Sequence, residues 1–310
     1  MGDGVPVLQA EKLSKWYGNI LGISDVSLEI SGGIQGLLGP NGAGKSTFLK
    51  LASGQLKPSL GRLRIFGEEV FANPRLFARI GFCPEYDSFY AEMSGRQFIA
   101  FLAKLHGFSG AALQEKVAVS LQTVGLEERQ ESLIKTYSFG MRQRLRLAAS
   151  ILHEPELLML DEPLRGVDPL WRIRIIKLIK DMARSGRTVI VSSHILPEIE
   201  AMTSDIILIH QGKIFAEGDI HYIRGLIDGH PHQIYIKCAA PRQLAEKMIG
   251  QEYVSGVVVD AAGGVTVSTS QRDRFYEALL HTIVERSLEV EEITSPDDNL
   301  QAIFDYLIGR

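Results

Sequence analysis

The 310-residue sequence predicts an α/β protein in which a parallel sheet with crossover helices precedes a second, smaller α+β domain. Short apolar runs alternate with helical patterns through the first two thirds of the chain, as in parallel sheets. The stretch 86–152 carries helical patterns only, and a different order of strands and helices begins after the turn-rich stretch 228–232. These observations predict a first domain at 1–228, with a helical insertion at about 86–152, and a second domain at 229–310.

Strands of the first domain are predicted where apolar residues run together without helical spacing. The predicted strands are Val7–Leu13, Val26–Ile30, Ile34–Leu38, Leu157–Leu160, Thr188–Ser192 and Ile206–His210. Helices are predicted where apolar residues recur every three or four positions, as Phe98, Ile99, Leu102 and Leu105 do. The predicted helices are Ser46–Ala52, Gly95–Leu105, Ala112–Val124, Met141–Leu152, Leu170–Ser185 and Leu196–Met202.

The second domain shows the order βαββαβ followed by one more helix, which resembles a split βαβ, ferredoxin-like module. The predicted elements are strand Gln233–Cys238, helix Pro241–Ile249, strands Val254–Asp260 and Gly264–Thr269, helix Arg272–Val284, strand Leu288–Ile293 and helix Asp298–Ile308.

Composition excludes several classes of protein. The formal net charge is −4, whereas domains that bind nucleic acid are usually strongly basic. No apolar run approaches the roughly 18 residues that a membrane-spanning helix needs. The two cysteines, Cys83 and Cys238, are too few for a disulfide framework, and the first residues do not resemble a secretory signal. We therefore expect a cytoplasmic protein with no nucleic-acid partner.

The strongest motif is the sequence G-x-x-x-x-G-K-S that begins at Gly39, between a predicted strand and a predicted helix. Glycines allow the backbone N–H groups of such a loop to converge on phosphate, and the start of the helix favours an anion. The lysine would reach the outer phosphates, and the serine hydroxyl would bind Mg²⁺. The residues predicted to hold the nucleotide here are Gly39, Asn41, Gly42, Gly44, Lys45, Ser46 and Thr47.

A second motif places two acidic residues directly after the apolar run 157–160. Asp161 would stand at the carboxyl end of a buried strand, where open α/β sheets place their ligands, and would hold the hydrated Mg²⁺. Glu162 would act as the general base for an attacking water. The alternative is that both acids only cap the following helix.

Together, these motifs and several further segments resemble the ATP-binding subunit of ABC transporters, over about residues 5–225. The segments are Trp16–Gly18, Gly81–Glu85, Tyr137–Arg144, Val167–Asp168 and Ser192–His194, in the order that the family has them. The resemblance implies a P-loop NTPase core that binds ATP and Mg²⁺.

The resemblance also implies roles for single residues. Tyr17 would stack on adenine, although an ordinary core aromatic is the alternative. His194 would meet the γ-phosphate and orient water. Ser138 and the backbone of Gly140 would contact the γ-phosphate of a nucleotide held by a second subunit. The family's arrangement therefore implies a head-to-tail dimer, with a homodimer expected.

Four features depart from the family's pattern, among them Met141, which replaces the final Gln of the signature. Glu85 stands where the family has Gln, and it is either a metal ligand or a solvated carboxylate. Phe139 replaces a signature Gly, so the backbone there must be ordinary or strained. Arg165, which with Gly166 stands just before Val167–Asp168, is atypical of the family at that position. In addition, the basic cluster Arg142, Arg144 and Arg146 is expected to form a solvated helix face or to contact nucleotide.

These expectations give a functional hypothesis. The chain would be the ATP-hydrolysing subunit that powers a membrane transporter, an exporter in type, by ATP-driven dimerisation. It would sit on the inner face of the cell membrane through an integral-membrane permease subunit. Tyr86, Phe89 and Tyr90 would lie where the family docks that permease, or would be buried in the helical insertion. The alternatives are a soluble ATP-driven mechanical protein and a regulatory module that binds ATP without hydrolysing it.

Overall fold

The computed structural model describes residues 5–86, 89–220, 223, 232–260, 263–286 and 288–295. The chain divides into two compact units, Met1–Asp219 and Ile220–Arg310. The sequence places a domain boundary after residue 228, and the residues on either side of that position lie outside the described part of the chain.

The first unit contains two sheets. Its strands are β1 (Leu8–Tyr17), β2 (Ile20–Ile30), β3 (Ile34–Leu38), β4 (Leu60–Ile65), β5 (Glu68–Glu69), β6 (Ile80–Cys83), β7 (Leu157–Asp161), β8 (Thr188–Ser193), β9 (Asp205–His210) and β10 (Lys213–Asp219). The central sheet has the order β10-β9-β3-β8-β7-β6. All its pairs are parallel except β9 with β10. The predicted parallel core is confirmed.

The strands predicted at 7–13 and 26–30 do not belong to this parallel sheet. They form a second, antiparallel sheet with the order β2-β1-β4-β5. The register aligns Tyr17 with Ile20, so β1 turns directly into β2 with no crossover helix between them. A tight turn can join only antiparallel neighbours. The prediction that these two strands belong to the parallel sheet is therefore wrong.

The helices of the first unit follow the predicted pattern, except for the short helix Pro74–Phe77, which was not predicted. They are α1 (Lys45–Ala52), α2 (Pro74–Phe77), α3 (Gly95–Leu105), α4 (Gly110–Thr123), α5 (Phe139–Ile151), α6 (Pro169–Arg184) and α7 (Leu196–Glu200). The described residues of the insertion contain α3, α4 and α5 and no strand beyond an isolated bridge between Ser94 and Leu133. Ser94 and Gln97 form a capping box that fixes the start of α3.

The register of the parallel sheet places the last residues of β3, β7 and β8 side by side. Leu38, the last residue of β3, pairs with Ser193 of β8, and Asp161, the last residue of β7, pairs with Ser192. All five residues of β7 are buried, as expected for a strand covered on both faces. The segments that follow β3, β7 and β8 therefore meet at the carboxyl edge of the sheet.

The second unit has the predicted βαββαβ order. Its elements are β11 (His232–Cys238), α8 (Pro241–Ile249), β12 (Val254–Val259), β13 (Gly264–Thr269), α9 (Arg272–Arg286) and β14 (Val290–Thr294). The sheet order is β12-β13-β11-β14, and β13 runs antiparallel to both β11 and β12, which makes a split βαβ unit. The helix predicted at 298–308 lies outside the described residues.

Each unit has its own apolar core. Phe48, Leu49 and Ile190 belong to a buried cluster in the first unit, and Phe275 and Leu279 belong to one in the second. Within the described residues, no helix has the length and apolar character required to cross a lipid bilayer.

Candidate nucleotide-binding site

The loop between β3 and α1 has the backbone that a phosphate site requires. Gly44 caps the start of α1 with a φ of 113° and, having no side chain, accepts no hydrogen bond from the first amides of the helix. Gly39 packs so closely on the carbonyl oxygen of Ile209 that a Cβ atom there would overlap it. The first-turn N–H groups and the helix dipole together form a site suited to phosphate oxygens.

Lys45 lies at the centre of this loop. Its Nζ donates hydrogen bonds to the carbonyls of Gly39, at 2.7 Å, and Pro40, at 3.3 Å, and lies 3.6 Å from Oε1 of Glu162. Burial lowers the pKa of the Lys45 ammonium, and the carboxylates of Glu162 and Asp161 oppose that effect. The ammonium is therefore a buried cation beside two buried acids, as a lysine that contacts phosphate should be.

Asp161 is held by the neighbouring strand. The hydroxyl of Ser192 donates a 2.6 Å hydrogen bond to Oδ1 of Asp161 and accepts a 3.0 Å bond from the amide of Glu162. Ser192 is completely buried, so a single hydroxyl fixes both acidic residues to β8. Sequence reasoning did not assign this role to Ser192, although its place two residues before His194 at the end of a strand offered a signal.

Glu162 connects the lysine with the histidine. Nδ1 of His194 lies 2.9 Å from Oε1 and 3.1 Å from Oε2 of the Glu162 carboxylate. The predicted general base is thus placed between Lys45 and His194, and all three come from segments that meet at the sheet edge. Glu162 itself adopts a φ of 50°, a left-handed conformation that is unfavourable for a residue with a side chain.

Tyr17 lies next to the phosphate loop rather than in the core. Its ring is partly exposed, and its hydroxyl lies 3.4 Å from Oγ1 of Thr47. The ammonium of Lys15 lies over this ring, 5.6 Å from its centroid, so the ring is an exposed aromatic group beside α1, and stacking on adenine stays a prediction.

The predicted signature residues lie at the start of α5. Ser138 caps this helix by accepting a 3.2 Å hydrogen bond from the amide of Met141, and it is exposed. No hydrogen bond or ion pair among the described residues joins Ser138 to the loop 39–47. Phe139 occupies the first helical position with a negative φ, so the backbone there is ordinary. Its ring packs over Gly166, where any Cβ atom would collide with it.

Glu85 forms an ion pair with Arg165. The pair joins the segment after β6 to the segment after β7, and its acid is largely buried. Two of the residues that depart from the family's pattern, Glu85 and Arg165, are therefore direct partners. A solvated, unpartnered Glu85 is excluded, and its role as a metal ligand stays a prediction.

The basic cluster on α5 is not a solvated face. Arg144 donates to the carbonyls of Val124 and Gly125. Arg146 is buried. The expectation of a solvated face was wrong because α5 packs against several elements, so this charged face meets polar groups of the protein instead of water. The alternative, contact with nucleotide, stays a prediction.

The oxygen atoms near the loop fit a magnesium ion. Ser46 offers a hydroxyl at the start of α1, and Asp161 offers a buried carboxylate at the end of β7. Mg²⁺ prefers hard oxygen ligands of this kind, supplied by one or two carboxylates together with phosphate oxygens. The residues present therefore suit this ion, with Glu85 as a further carboxylate nearby.

The chain is similar to ABC transporter ATP-binding proteins in sequence and in fold. Residues 23–165 match the family model described as ABC transporter. The bacitracin transport ATP-binding protein BcrA of Bacillus licheniformis is 31% identical over 98% of this chain and 97% of that protein. The daunorubicin/doxorubicin resistance ATP-binding protein DrrA of Streptomyces peucetius is 29% identical over 98% of this chain and 92% of that protein. A solved ATP-binding subunit of an ABC transporter, 28% identical, superimposes with a TM-score of 0.66 over 71% of this chain and 92% of that chain.

Proposed function

The chain belongs to the ABC transporter family as an ATP-hydrolysing subunit, and we propose that hydrolysis takes place where the loop 39–47 meets the ends of β7 and β8. The observation that carries this proposal is the contact of Glu162 with both Lys45 and His194. The relatives give no support to a soluble mechanical protein or to a module that binds ATP without cleaving it.

The residues divide the chemistry among them. Glu162 takes a proton from the attacking water as general base. A carboxylate can only accept hydrogen bonds, so Nδ1 of His194 carries the hydrogen of this contact, and a ring with a single N–H has its lone pair at Nε2. Nε2 can then accept from the water, which His194 orients for attack on the γ-phosphate. Lys45 leaves its carbonyl partners for the outer phosphates.

Magnesium would be held by Ser46 and Asp161, with Glu85 as a further ligand. When bound, the ion would neutralise negative charge that develops on the outer phosphates. Asp161 is suited to this task because Ser192 fixes one of its oxygens.

A second copy of the chain would complete the site. Ser138 and Gly140 stand at the start of α5, exposed or partly exposed, where the helix dipole favours an anion. A nucleotide held by one copy would therefore meet this helix start on the other, so that two ATP molecules join two subunits. Hydrolysis removes the γ-phosphate and with it the contact that favours the joined state.

An integral-membrane permease would be the driven partner. Tyr86 is 69% exposed and Tyr90 is 59% exposed, and both follow the segment that contains Glu85. The Tyr90 ring contacts Phe101 of α3 edge to face, and Phe89 contacts Phe98 of the same helix. Exposed tyrosines anchored on a helix suit a protein interface. This surface would hold the subunit at the membrane's cytoplasmic face, and the relatives named for bacitracin transport and drug resistance favour export.

The test is ATP-dependent dimerisation of a hydrolysis-deficient variant. Glu162→Gln should bind ATP, lose at least about 10²-fold in turnover and form a dimer on light scattering with ATP and Mg²⁺. Lys45→Ala should neither bind ATP nor dimerise. The control Glu115→Gln changes an exposed carboxylate on α4 and should behave as the wild type does. Normal turnover by Glu162→Gln, or ATP affinity unchanged by Lys45→Ala, would refute the assigned site.

A second experiment addresses the partner. The full chain, expressed with a candidate permease and extracted in detergent, should co-purify with it. Tyr86→Ser and Tyr90→Ser together should weaken that association while ATP binding is kept. Undiminished association of this double variant would place the permease contact elsewhere.

A further inference from the structure

The structure buries an arginine and a glutamine of α5 beneath the proposed catalytic glutamate. Gln143 is 1% exposed and Arg146 is 4% exposed, one helical turn apart. Burying a guanidinium and an amide is unfavourable unless other polar groups compensate them. Polar partners inside the protein must therefore hold both the arginine and the glutamine.

The hydrogen bonds of this pair lead to Glu162. Nη2 of Arg146 donates to Oε1 of Gln143, and Nε2 of Gln143 donates to the main-chain carbonyl of Glu162 at 3.4 Å. A guanidinium can only donate, so the oxygen of the Gln143 amide must face Arg146 and the NH₂ group must face Glu162. Arg146 thus determines which end of Gln143 meets the glutamate.

The backbone of Glu162 needs such support. Its φ of 50° is unfavourable, and conformations of this kind persist only where the surroundings hold them. Ser192 holds the amide of Glu162 from β8. The carbonyl accepts from the amide of Arg165, at 3.2 Å, and from Gln143 of α5, which is the side-chain support that reaches it from another element. Both sides of the residue are therefore fixed, which fixes the direction in which the carboxylate leaves the backbone.

We propose that Arg146 and Gln143 are positioning residues that hold the Glu162 main chain in the conformation from which its carboxylate reaches His194 and Lys45. The proposal rests on the role of Glu162 proposed above. It also links Glu162 to the start of α5, since Gln143 lies on the same helix as Ser138. Loss of the pair should lower turnover without changing ATP binding, because the pair acts through the main chain of Glu162 and not through the phosphate loop.

The experiment compares Arg146→Met, Gln143→Glu and Arg146→Lys with an exposed control, Arg184→Met. Arg146→Met removes the donor to Gln143, and Gln143→Glu keeps a partner for Arg146 but loses the N–H that binds Glu162. Both should lower kcat about 10- to 100-fold, the range expected when a catalytic group is displaced by about 1 Å, with unchanged half-saturating ATP. Arg146→Lys should restore part of kcat, and Arg184→Met should match the wild type.

An epistasis test separates positioning from general stability. In the Glu162→Gln background, Arg146→Met should cause no further loss of single-turnover rate, because the group that it positions is already absent. A merely structural role would lower the rate in both backgrounds, together with the fraction of protein that binds ATP. Gln143→Glu serves the same comparison if Arg146→Met does not fold.

Two results would overturn the inference. One is wild-type kcat in Gln143→Glu and Arg146→Met, and the other is an equal further loss of rate in the Glu162→Gln background. Either result leaves the proposed function intact as long as Glu162→Gln itself is deficient. Full turnover by Glu162→Gln would instead count against the proposed site.

Discussion

His194 and Glu162 form a bifurcated contact, since Nδ1 of the imidazole lies 2.9 Å from one carboxylate oxygen and 3.1 Å from the other. Lys45 approaches the same carboxylate to 3.6 Å. In the sequence, Lys45 is 117 positions from Glu162 and 149 positions from His194, and Glu162 is 32 positions from His194. The parallel sheet brings these residues together. The Glu162 carboxylate is therefore held in one orientation by the ammonium of Lys45 and the imidazole of His194.

Replacing His194 should therefore slow hydrolysis without preventing binding. We expect His194→Ala to lower kcat about 10²-fold, because the water loses its orienting group and Glu162 loses a partner. Half-saturating ATP should not change. Steady-state ATPase assays together with direct ATP binding would measure both. A variant that loses ATP affinity in proportion to kcat would show that the histidine binds nucleotide rather than orienting water.

The Glu85–Arg165 pair should set how readily the site binds magnesium. Arg165→Gln frees the Glu85 carboxylate from its cation, so the Mg²⁺ concentration needed for half-maximal ATPase activity should fall. Glu85→Gln should raise it, by removing a carboxylate ligand. Magnesium titrations at fixed free ATP would test both variants.

The double variant Glu85→Gln/Arg165→Gln gives the control for that titration. It should behave as Glu85→Gln does, because Arg165 acts on the metal only through Glu85. Identical magnesium requirements in all three variants and the wild type would show that Glu85 is a structural ion-pair partner and not a ligand.

His153 should make the folded protein sensitive to acid. Its Nε2 donates to the carbonyl of Ile80 at 2.9 Å, and its ring stacks on His106 at 4.0 Å. Burial lowers the pKa of His153 to about 4 from its ordinary value of 6.5, with His106 adding to the effect. Below pH 6.5 the imidazole of His153 becomes protonated in the unfolded chain but stays neutral in the folded chain. The free energy of unfolding therefore decreases as the pH falls from 6.5 to about 4.

The measurement is chemical denaturation across that pH range. His153→Gln keeps an N–H donor for Ile80 but does not titrate, so its stability should decline less on acidification than that of the wild type. His281→Gln, which removes an exposed histidine from α9, is the matched control and should follow the wild type. Parallel curves for all three proteins would contradict the assignment.

The first domain should fold without the second. Their buried clusters share no residue, so removing one should leave the other's core intact. A chain ending at residue 228 should unfold cooperatively and bind ATP as the full chain does. Circular dichroism and equilibrium binding would check this, with Lys45→Ala in the short chain as the non-binding control. An insoluble product would show that the two units depend on shared packing.

The sequence predicted the central elements well where the pattern was strong. β3, β7 and β8 are short, mostly apolar segments without helical spacing, and α3 has regular helical spacing, so each was predicted within a residue of its observed bounds. β4 and β10 were missed because they alternate with charged or exposed residues. β6 was missed because it has only four residues.

Sequence by itself determined the nucleotide chemistry, since the spacing of glycines, lysine and serine around Gly39–Thr47 and the acids after β7 are local properties of the chain. Only the tertiary structure decided which side chains meet. The pairing of Glu85 with Arg165, the hydroxyl of Ser192 between two acids and the burial of Arg146 under Glu162 all join segments that are distant along the chain or turned inward by packing. Such contacts depend on strand register and helix orientation, and those are fixed by how the whole core packs, not by any one segment.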